Sequence, residues 1–184
     1  MDIKNLRVHY GLKHIKRGCN VGKRKESTAE HTYSSIMLAR VYLKRVKGLN
    51  EDKVLKLLLY HDLVEVYADD IKAWTGRFRA VKKKKEWAAH NRLIKTLPVE
   101  IRKEFSSSWI EYEESKTRES LFCHAIDTLD GLLHNINSLT HFRRYGLSEK
   151  RLRDIKGKYF EKFPVLKKDF DHILKRLIKQ GSLD

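Results

Sequence analysis

Cysteine and proline are scarce in this sequence, with two of each among 184 residues, and glycine occurs nine times. Two cysteines cannot form a disulfide framework, so Cys19 and Cys123 indicate a protein of a reducing compartment. Few prolines and glycines beside abundant leucine, lysine, glutamate and arginine favour helices over a strand-rich fold. A chain of this length can bury a sizeable core in one domain without covalent cross-links.

Long apolar runs are also absent. No run approaches the ~20 residues of a membrane-spanning helix, and the first residues lack the apolar core of a signal peptide. We therefore expect a cytoplasmic protein with no membrane partner.

Acidic residues are in deficit, with 24 against 40 lysines and arginines, which gives a net charge of +16. Such a charge attracts anions, which include phosphorylated small molecules, nucleic acid and anionic surfaces. It is equally compatible with a soluble protein whose solvated helix faces are rich in lysine. Charge alone does not choose among these interpretations.

Helical patterns follow one another along the chain, with no internal repeat and no low-complexity linker. Helices are expected over approximately residues 2–15, 28–46, 50–66, 81–97 and 119–139, with others that begin at Pro98 and after Ser148 and Pro164. Asn50 and Thr28 are the expected N-caps of their helices. Residues 18–22 are expected to form a loop, and no segment shows convincing strand alternation. The sequence predicts a compact, all-α, single-domain helical bundle.

The segment from Tyr60 to Glu65 places metal- and proton-handling side chains where a core-facing helix should be apolar. At about 100° per residue, one arc of the predicted helix carries both apolar and ionisable side chains, at Val54, Leu58, His61, Asp62 and Glu65. Burial of an uncompensated carboxylate costs several kcal/mol, and two neighbouring carboxylates also repel each other. A bound divalent cation would supply the missing positive charge.

Candidate ligands for such a cation come from three predicted helices, at His31, at His61 with Asp62, and at Asp127. Divalent transition metals accept imidazole nitrogen and carboxylate oxygen together. Glu65 follows His61 by one turn of the predicted helix, where it could orient or deprotonate water or protonate a leaving group. Taken singly, His31 is also compatible with a packed or solvated histidine, and Asp127 with a solvent-facing aspartate.

The run Ala29-Glu30-His31, then His61-Asp62-Leu63-Val64-Glu65, then Asp127, resembles the H…HD…D signature of HD-domain metal-dependent phosphohydrolases. It is most similar to the branch of 5′-deoxynucleotidases and their HD-domain-containing relatives, whose members carry carboxylates at the positions of Glu65 and Asp70. The segment Trp109-Ile110-Glu111-Tyr112-Glu113 is also similar to a feature of this branch. The resemblance implies one HD-type helical domain over residues 1–184, with a core of about 12–139 and C-terminal helices over 148–180 that pack on it.

The resemblance also implies the residues of the site. One divalent ion (Mn, Co, Fe, Mg or Zn) is implied, with the ligands His31, His61, Asp62 and Asp127. Catalytic functions are implied for Glu65 and Asp70, and contacts to the substrate phosphate for Arg17 and Arg24. Arginine suits phosphate because its planar fork binds two oxygens and keeps its charge.

The implied activity is that of a phosphomonoesterase, which releases phosphate from nucleoside or deoxynucleoside 5′-monophosphates. Hydrolysis of nucleotide polyphosphates or of phosphodiesters is an alternative on the same scaffold. A homodimer is implied as well.

Three positions differ from the pattern of the family. Gly18 stands where relatives usually carry tryptophan, His124 where they often carry lysine, and Asp69 where glycine is usual. The first difference bears on the substrate, because tryptophan would supply an aromatic wall for the sugar. None of the three removes a metal ligand.

A second hypothesis is binding of RNA or DNA. The basic run Lys82–Lys85 is preceded by further basic residues and interleaved with aromatic ones, at Lys72, Trp74, Arg77, Phe78, Arg79 and Trp87. This combination is typical of surfaces on which single-stranded nucleic acid stacks. The simpler interpretation is a solvated helix face with Trp87 packed inward.

Overall fold

The computed structural model describes residues 3–71 and 76–184, with side chains from residue 80 onward in the second range. Helix α1 covers Ile3–Leu6, and a 3₁₀ helix over Val8–Lys13 precedes strands β1 (Lys16–Val21) and β2 (Arg24–Ser27). The helices that follow are α2 (Thr28–Leu43), α3 (Glu51–Tyr60), α4 (Glu65–Ala68), α5 (Gly76–Thr96), α6 (Val99–Glu114) and α7 (Arg118–His134). The chain ends with α8 (His141–Arg144), α9 (Glu149–Lys156), a 3₁₀ turn over Gly157–Tyr159, and α10 (Pro164–Lys179).

The chain divides into two compact units. The first comprises Met1–Tyr33 and Lys56–Glu114, and the second comprises Ser34–Leu55 and Ser115–Asp184. Helical content dominates, so the predicted all-α class is confirmed apart from one small hairpin. The single domain over residues 1–184 stays a prediction. Among the described helices, none has the length and hydropathy that crossing a membrane requires.

The core of the first unit is built around α6. One face of α6 is buried, with Phe105 and Trp109 fully inaccessible and Ser108 and Tyr112 almost so. Leu93 of α5 and Leu97, which directly follows this helix, belong to the same cluster of buried side chains. Burial of a large side chain of this kind stabilises the fold by about 1.5–3 kcal/mol.

The beginning of the chain departs from the prediction. The expected helix over 2–15 is wrong, since α1 ends at Leu6 and a 3₁₀ helix follows. The expected loop over 18–22 is also wrong, because β1 and β2 pair antiparallel, with Val21 opposite Arg24. Gly22 turns the hairpin with a φ of +59°, a conformation that glycine adopts without steric cost. The strands are short and polar, so they lack the alternation by which a strand is recognised.

The predicted helix over 50–66 is two helices. Asn50 caps α3 as expected, with its Oδ1 accepting from the Lys53 amide at 3.0 Å. Helix α3 ends at Tyr60, and a turn over residues 61–64 leads into α4. The amides of Leu63 and Glu65 donate three residues back, at 3.2 Å and 3.0 Å. Such tight turns are common at helix ends, and this one separates His61 from Glu65.

The start of α2 shows why Thr28 is not its N-cap. Ser27 and Glu30 form a capping box, in which the Ser27 amide donates to Glu30 Oε2 at 2.8 Å and the Glu30 amide donates to Ser27 Oγ at 3.3 Å. The Thr28 hydroxyl therefore remains available for a partner elsewhere in the first unit, described below.

The second unit has its own core. Buried aromatic and aliphatic side chains from α7, α10 and the segment between α9 and α10 contribute to it, including Phe122, Leu129, Phe160, Phe163 and Phe170. The Phe160 and Phe170 rings stack at 4.2 Å. Thr117 caps α7 and Ser148 caps α9 through their side-chain oxygens. Helix α7 ends at His134, earlier than the expected residue 139.

Candidate metal centre

Two buried histidines of the first unit face each other. His31 lies in α2 and is inaccessible to solvent, and His61 follows α3 and is 3% exposed. Their Nε2 atoms lie 3.4 Å apart. Asp62 Oδ2 lies 3.2 Å from His61 Nε2 and 3.6 Å from His31 Nε2. Within the first unit, the structure thus brings these three predicted ligands together.

The hydrogen bond of His61 determines which nitrogen keeps a lone pair. Nδ1 lies 2.7 Å from the Leu58 carbonyl oxygen, which can only accept. Nδ1 therefore carries a proton, which leaves Nε2, the ring nitrogen nearest His31 and Asp62, as the one that can offer a lone pair to a cation. A backbone carbonyl on the second ring nitrogen is a common way to orient a metal-binding histidine.

The charge of Asp62 fits a cation site. Burial opposes ionisation, but His61, His31 and Arg17 outweigh it and hold the pKa of Asp62 well below its usual range. The carboxylate is therefore ionised beside two imidazole nitrogens in a place that solvent barely reaches. Two nitrogens and one carboxylate oxygen that converge in this way fit a divalent metal ion.

Glu65, the predicted proton-handling residue, is buried in the same unit and 2% exposed. One of its oxygens accepts the hydroxyl of Thr28 at 2.7 Å. Burial, then the charges of Asp62 and Asp70, raise the pKa of Glu65 well above its ordinary value, and the Thr28 hydrogen bond only partly offsets them. A carboxyl group with a raised pKa can exchange a proton near neutral pH. Asp70, half-buried, thus acts on Glu65 through its charge.

Arg17 of β1 lies beside the candidate ligands. Its Nη1 donates to Asp62 Oδ2 at 3.4 Å, and its Nε donates to Glu26 Oε2 at 3.1 Å. Glu26 is 2% exposed and was not foreseen from the sequence. Only the pairing of the hairpin brings Glu26 opposite Arg17, so no local pattern could have indicated it.

Arg24 has a different environment. Its guanidinium is exposed and forms a two-pronged pair with Glu30, with Nη1 and Nη2 at 2.8 Å and 2.5 Å from the two carboxylate oxygens. This pair flanks the capping box of α2. A contact of Arg24 with substrate stays a prediction.

Asp127, the fourth predicted ligand, lies in α7 of the second unit. Its Oδ2 is 3.8 Å from Lys156 Nζ. One turn earlier, His124 is buried, with its Nε2 2.7 Å from Ser115 Oγ and its ring stacked on Tyr159 at 4.4 Å. The histidine that replaces the usual lysine is thus a packed residue of this unit. Metal binding by Asp127 stays a prediction.

The basic run of α5 does not form one continuous basic surface. Lys82 is half-buried and pairs with Glu86 at 3.1 Å. The charges of Glu86, Asp62 and Glu65 outweigh burial and raise the pKa of Lys82. Trp87 packs edge-on against Trp109 at 5.0 Å, although 37% of it is exposed. Lys83, Lys84 and Lys85 are exposed.

Five further residues belong to the nucleic-acid hypothesis. Lys72 and Trp74 lie outside the described residues, as do the side chains of Arg77, Phe78 and Arg79. Binding of nucleic acid by this helix stays a prediction.

Glu113 of α6 is a further carboxyl group of the first unit and is half-buried. Burial, followed by the charge of Glu86, raises the pKa of Glu113 to about 7, against an opposing effect of Lys82. Together with Glu65 and Glu86, it is one of three described carboxyl groups of the first unit whose pKa is raised above the ordinary value.

Asp69 is held in a conformation that side chains rarely adopt, with φ at 61° and ψ at 163°. Only glycine enters this region readily, and another residue there costs about 1–3 kcal/mol. We expect Asp69→Gly to raise the free energy of unfolding by about that amount in urea denaturation. Asp69→Ala is the matched control, because alanine removes the charge and keeps the strain. Equal gains from both variants would show that repulsion by Asp70, not the backbone, is relieved.

A helical fold with two converging imidazoles, an ionised aspartate and a buried glutamate defines a metal-binding helical protein. The family model that describes the HD domain matches residues 10–166, so the chain belongs to the HD-domain family.

Similar proteins include 5′-deoxynucleotidase HDDC2 from Mus musculus, 31% identical over 108 residues, which cover 59% of this chain and 53% of that protein. The protein of the same name from Xenopus laevis is 28% identical over 134 residues, which cover 73% and 66%. The chain thus spans half to two thirds of the length of these relatives.

One solved structure covers almost the whole chain. It is described as a predicted metal-dependent phosphohydrolase from Magnetospirillum magnetotacticum MS-1, with 25% sequence identity and a TM-score of 0.84. The alignment covers 97% of this chain and 93% of that one.

Proposed function

We propose that this protein is a metal-dependent phosphomonoesterase that releases phosphate from nucleoside or deoxynucleoside 5′-monophosphates. The observation that carries the proposal is the convergence of His31, His61 and Asp62. Arg17 contacts Asp62, and the charge of Asp62 contributes to the raised pKa of Glu65. Metal ligands, a cation for phosphate and a group for proton transfer are the parts that phosphoester hydrolysis requires.

In this proposal His31, His61, Asp62 and Asp127 hold one divalent ion, which is manganese, cobalt, iron, magnesium or zinc. When bound, such an ion polarises a phosphoryl oxygen and lowers the pKa of water. In the metal-free protein, the two histidines and Arg17 hold the Asp62 carboxyl group ionised.

Arg17 binds the phosphate in this proposal. Its guanidinium keeps its charge at every physiological pH, so it can neutralise the charge that develops on the phosphoryl oxygens. Glu65 carries the proton between the attacking water and the departing 5′ oxygen, because its raised pKa suits transfer in both directions. Asp70 maintains that raised pKa by its charge and assists the proton transfer or holds the sugar.

The relatives support the choice of substrate. The curated relatives described above are named 5′-deoxynucleotidases, and the solved structure is described as a metal-dependent phosphohydrolase. A nucleotide substrate also fits the net charge of +16, which attracts anions. The cytoplasmic location and the homodimer stay predictions.

The test is a substrate panel. Protein freed of metal is loaded separately with each of the five ions and assayed for phosphate release from 5′- and 3′-monophosphates of ribo- and deoxyribonucleosides, from nucleoside triphosphates and from a phosphodiester. We expect metal-dependent release from 5′-monophosphates, at least about tenfold faster than from the 3′ isomers, a difference of about 1.4 kcal/mol. A chelator should abolish the release, and the same metal should restore it.

Two results would contradict the proposal. The first is the absence of metal-dependent turnover on every substrate of the panel. The second is tight, steeply salt-dependent binding of oligonucleotides without hydrolysis, which would favour the nucleic-acid hypothesis.

A further inference from the structure

The buried carboxylate of Glu26 lies behind the guanidinium of Arg17. Glu26 is in β2 and Arg17 in β1, and the side chain of Glu26 is 3% exposed against 18% for Arg17. Glu26 therefore sits on the closed side of the arginine. Asp62, whose side chain is 17% exposed, sits on its other side.

One oxygen of Glu26 accepts two hydrogen bonds from β1. Arg17 Nε donates to Oε2 at 3.1 Å, and the Cys19 thiol donates to the same atom at 2.9 Å. Burial, then the hydrogen bond to Glu26, raise the pKa of Cys19 to about 11, so the thiol keeps its proton. The protonated thiol donates to the carboxylate, and Glu26 is thereby held from two alternate positions of one strand, Arg17 and Cys19.

We propose that Glu26 is a positioning residue, which holds the Arg17 guanidinium by its Nε edge so that its Nη edge is presented to the substrate phosphate. This inference rests on the proposed function, in which Arg17 binds phosphate. Nη1 already lies 3.4 Å from Asp62 Oδ2, on the side of the candidate metal ligands. The Nε contact persists while the Nη edge exchanges its partner.

An arginine held in this way loses less side-chain freedom when phosphate binds, and its fork meets two oxygens at a fixed angle. Glu26 also balances the charge of Arg17 before phosphate arrives, in a place where an unpaired cation would be costly. A lysine at position 17 would keep the charge but has no Nε edge for Glu26 to hold.

The test is a double-mutant cycle of Glu26→Gln and Arg17→Lys in the metal-loaded protein. Glu26→Gln keeps the shape and removes the charge that binds Nε. We expect each single variant to raise the KM for a 5′-monophosphate about tenfold, with a smaller change in kcat. The double variant should be no worse than the poorer single one, since both remove the same contact.

Binding of inorganic phosphate, measured by calorimetry, separates the inference from the proposed function. Weaker phosphate binding by Glu26→Gln in a protein that hydrolyses no nucleotide would support the positioning and reject the function. Hydrolysis by the parent protein with an unchanged KM in Glu26→Gln would reject the positioning and keep the function. Lys23→Gln, in the exposed turn of the same hairpin, is the control and should change neither quantity.

A purely structural effect of Glu26 has a different signature. It would lower the melting temperature and weaken binding of the metal together with phosphate, and the two substitutions would add in the cycle. That outcome overturns the inference. If Glu26→Gln does not fold, Arg17→Lys remains as the test, and an unchanged phosphate affinity in that variant overturns it too.

Discussion

Replacement of Asp62 by asparagine should reduce hydrolysis of 5′-monophosphates by about a thousandfold or more, with a parallel loss of metal binding. Within the first unit, the Asp62 carboxylate lies beside both Nε2 atoms, at 3.2 Å from His61 and 3.6 Å from His31. Asparagine has nearly the same shape but no charge, so it cannot neutralise a divalent ion. Initial rates and Mn²⁺ calorimetry on the same preparation measure both effects.

A matched substitution controls for the loss of one negative charge. Asp52→Asn, at an exposed position in the first turn of α3, should leave both rate and metal affinity close to those of the parent protein. A change of about threefold corresponds to a smaller energy than a tenfold change. If Asp62→Asn kept its metal affinity and its turnover within about threefold of the parent protein, the metal centre would lie elsewhere.

The sequence was sufficient to predict that His31, His61 and Asp62 lie close together. The reason is that His61 and Asp62 stand out in a stretch of buried apolar residues, where Val54 and Leu58 are inaccessible. Ionisable side chains in such a place need a partner, whatever the details of the backbone. The all-α class followed from composition for a similar reason, since helices form from local patterns.

The sequence predicted Glu65 as part of the site, but the helix that was expected to place it there is not continuous. One continuous helix was expected to carry it beside His61. The chain leaves the helix at Tyr60 and re-enters one at Glu65, so tertiary packing decides where the carboxylate lies. Helical periodicity indicates which residues share one face of a helix, but it says little about where that helix is interrupted.

The hairpin and its residues were beyond prediction from local patterns. Arg17 was proposed from a family resemblance, and Glu26 was not proposed at all. The two are nine positions apart in sequence and meet only because the strands pair. Contacts across a hairpin depend on register, and a polar pair of short strands gives no hydrophobic pattern to fix that register in advance.

Glu65→Gln should lower kcat by about 10²–10⁴-fold and leave metal affinity within a few-fold of the parent protein, because it removes a proton-transfer group and keeps the ligands. The glutamine oxygen can still accept the Thr28 hydroxyl, which lies 2.7 Å from Glu65 Oε2. Steady-state kinetics at saturating metal, with Mn²⁺ calorimetry, measure the two quantities. Glu100→Gln, at an exposed position in α6, is the control and should change neither.

Glu65→Gln should lower activity but raise the stability of the folded protein at higher pH. This combination distinguishes loss of a proton-transfer group from disruption of the fold. A raised pKa means that folded Glu65 holds its proton where the unfolded chain, at about 4.5, releases it. Its contribution to stability is therefore complete below that pH and is lost as pH rises through the folded pKa. Glutamine does not titrate, so the metal-free variant should become more stable than the parent protein as pH rises from 5 to 8. A variant that is inactive and also less stable at pH 8 would contradict the pKa assignment and the proposed part of Glu65 in proton transfer.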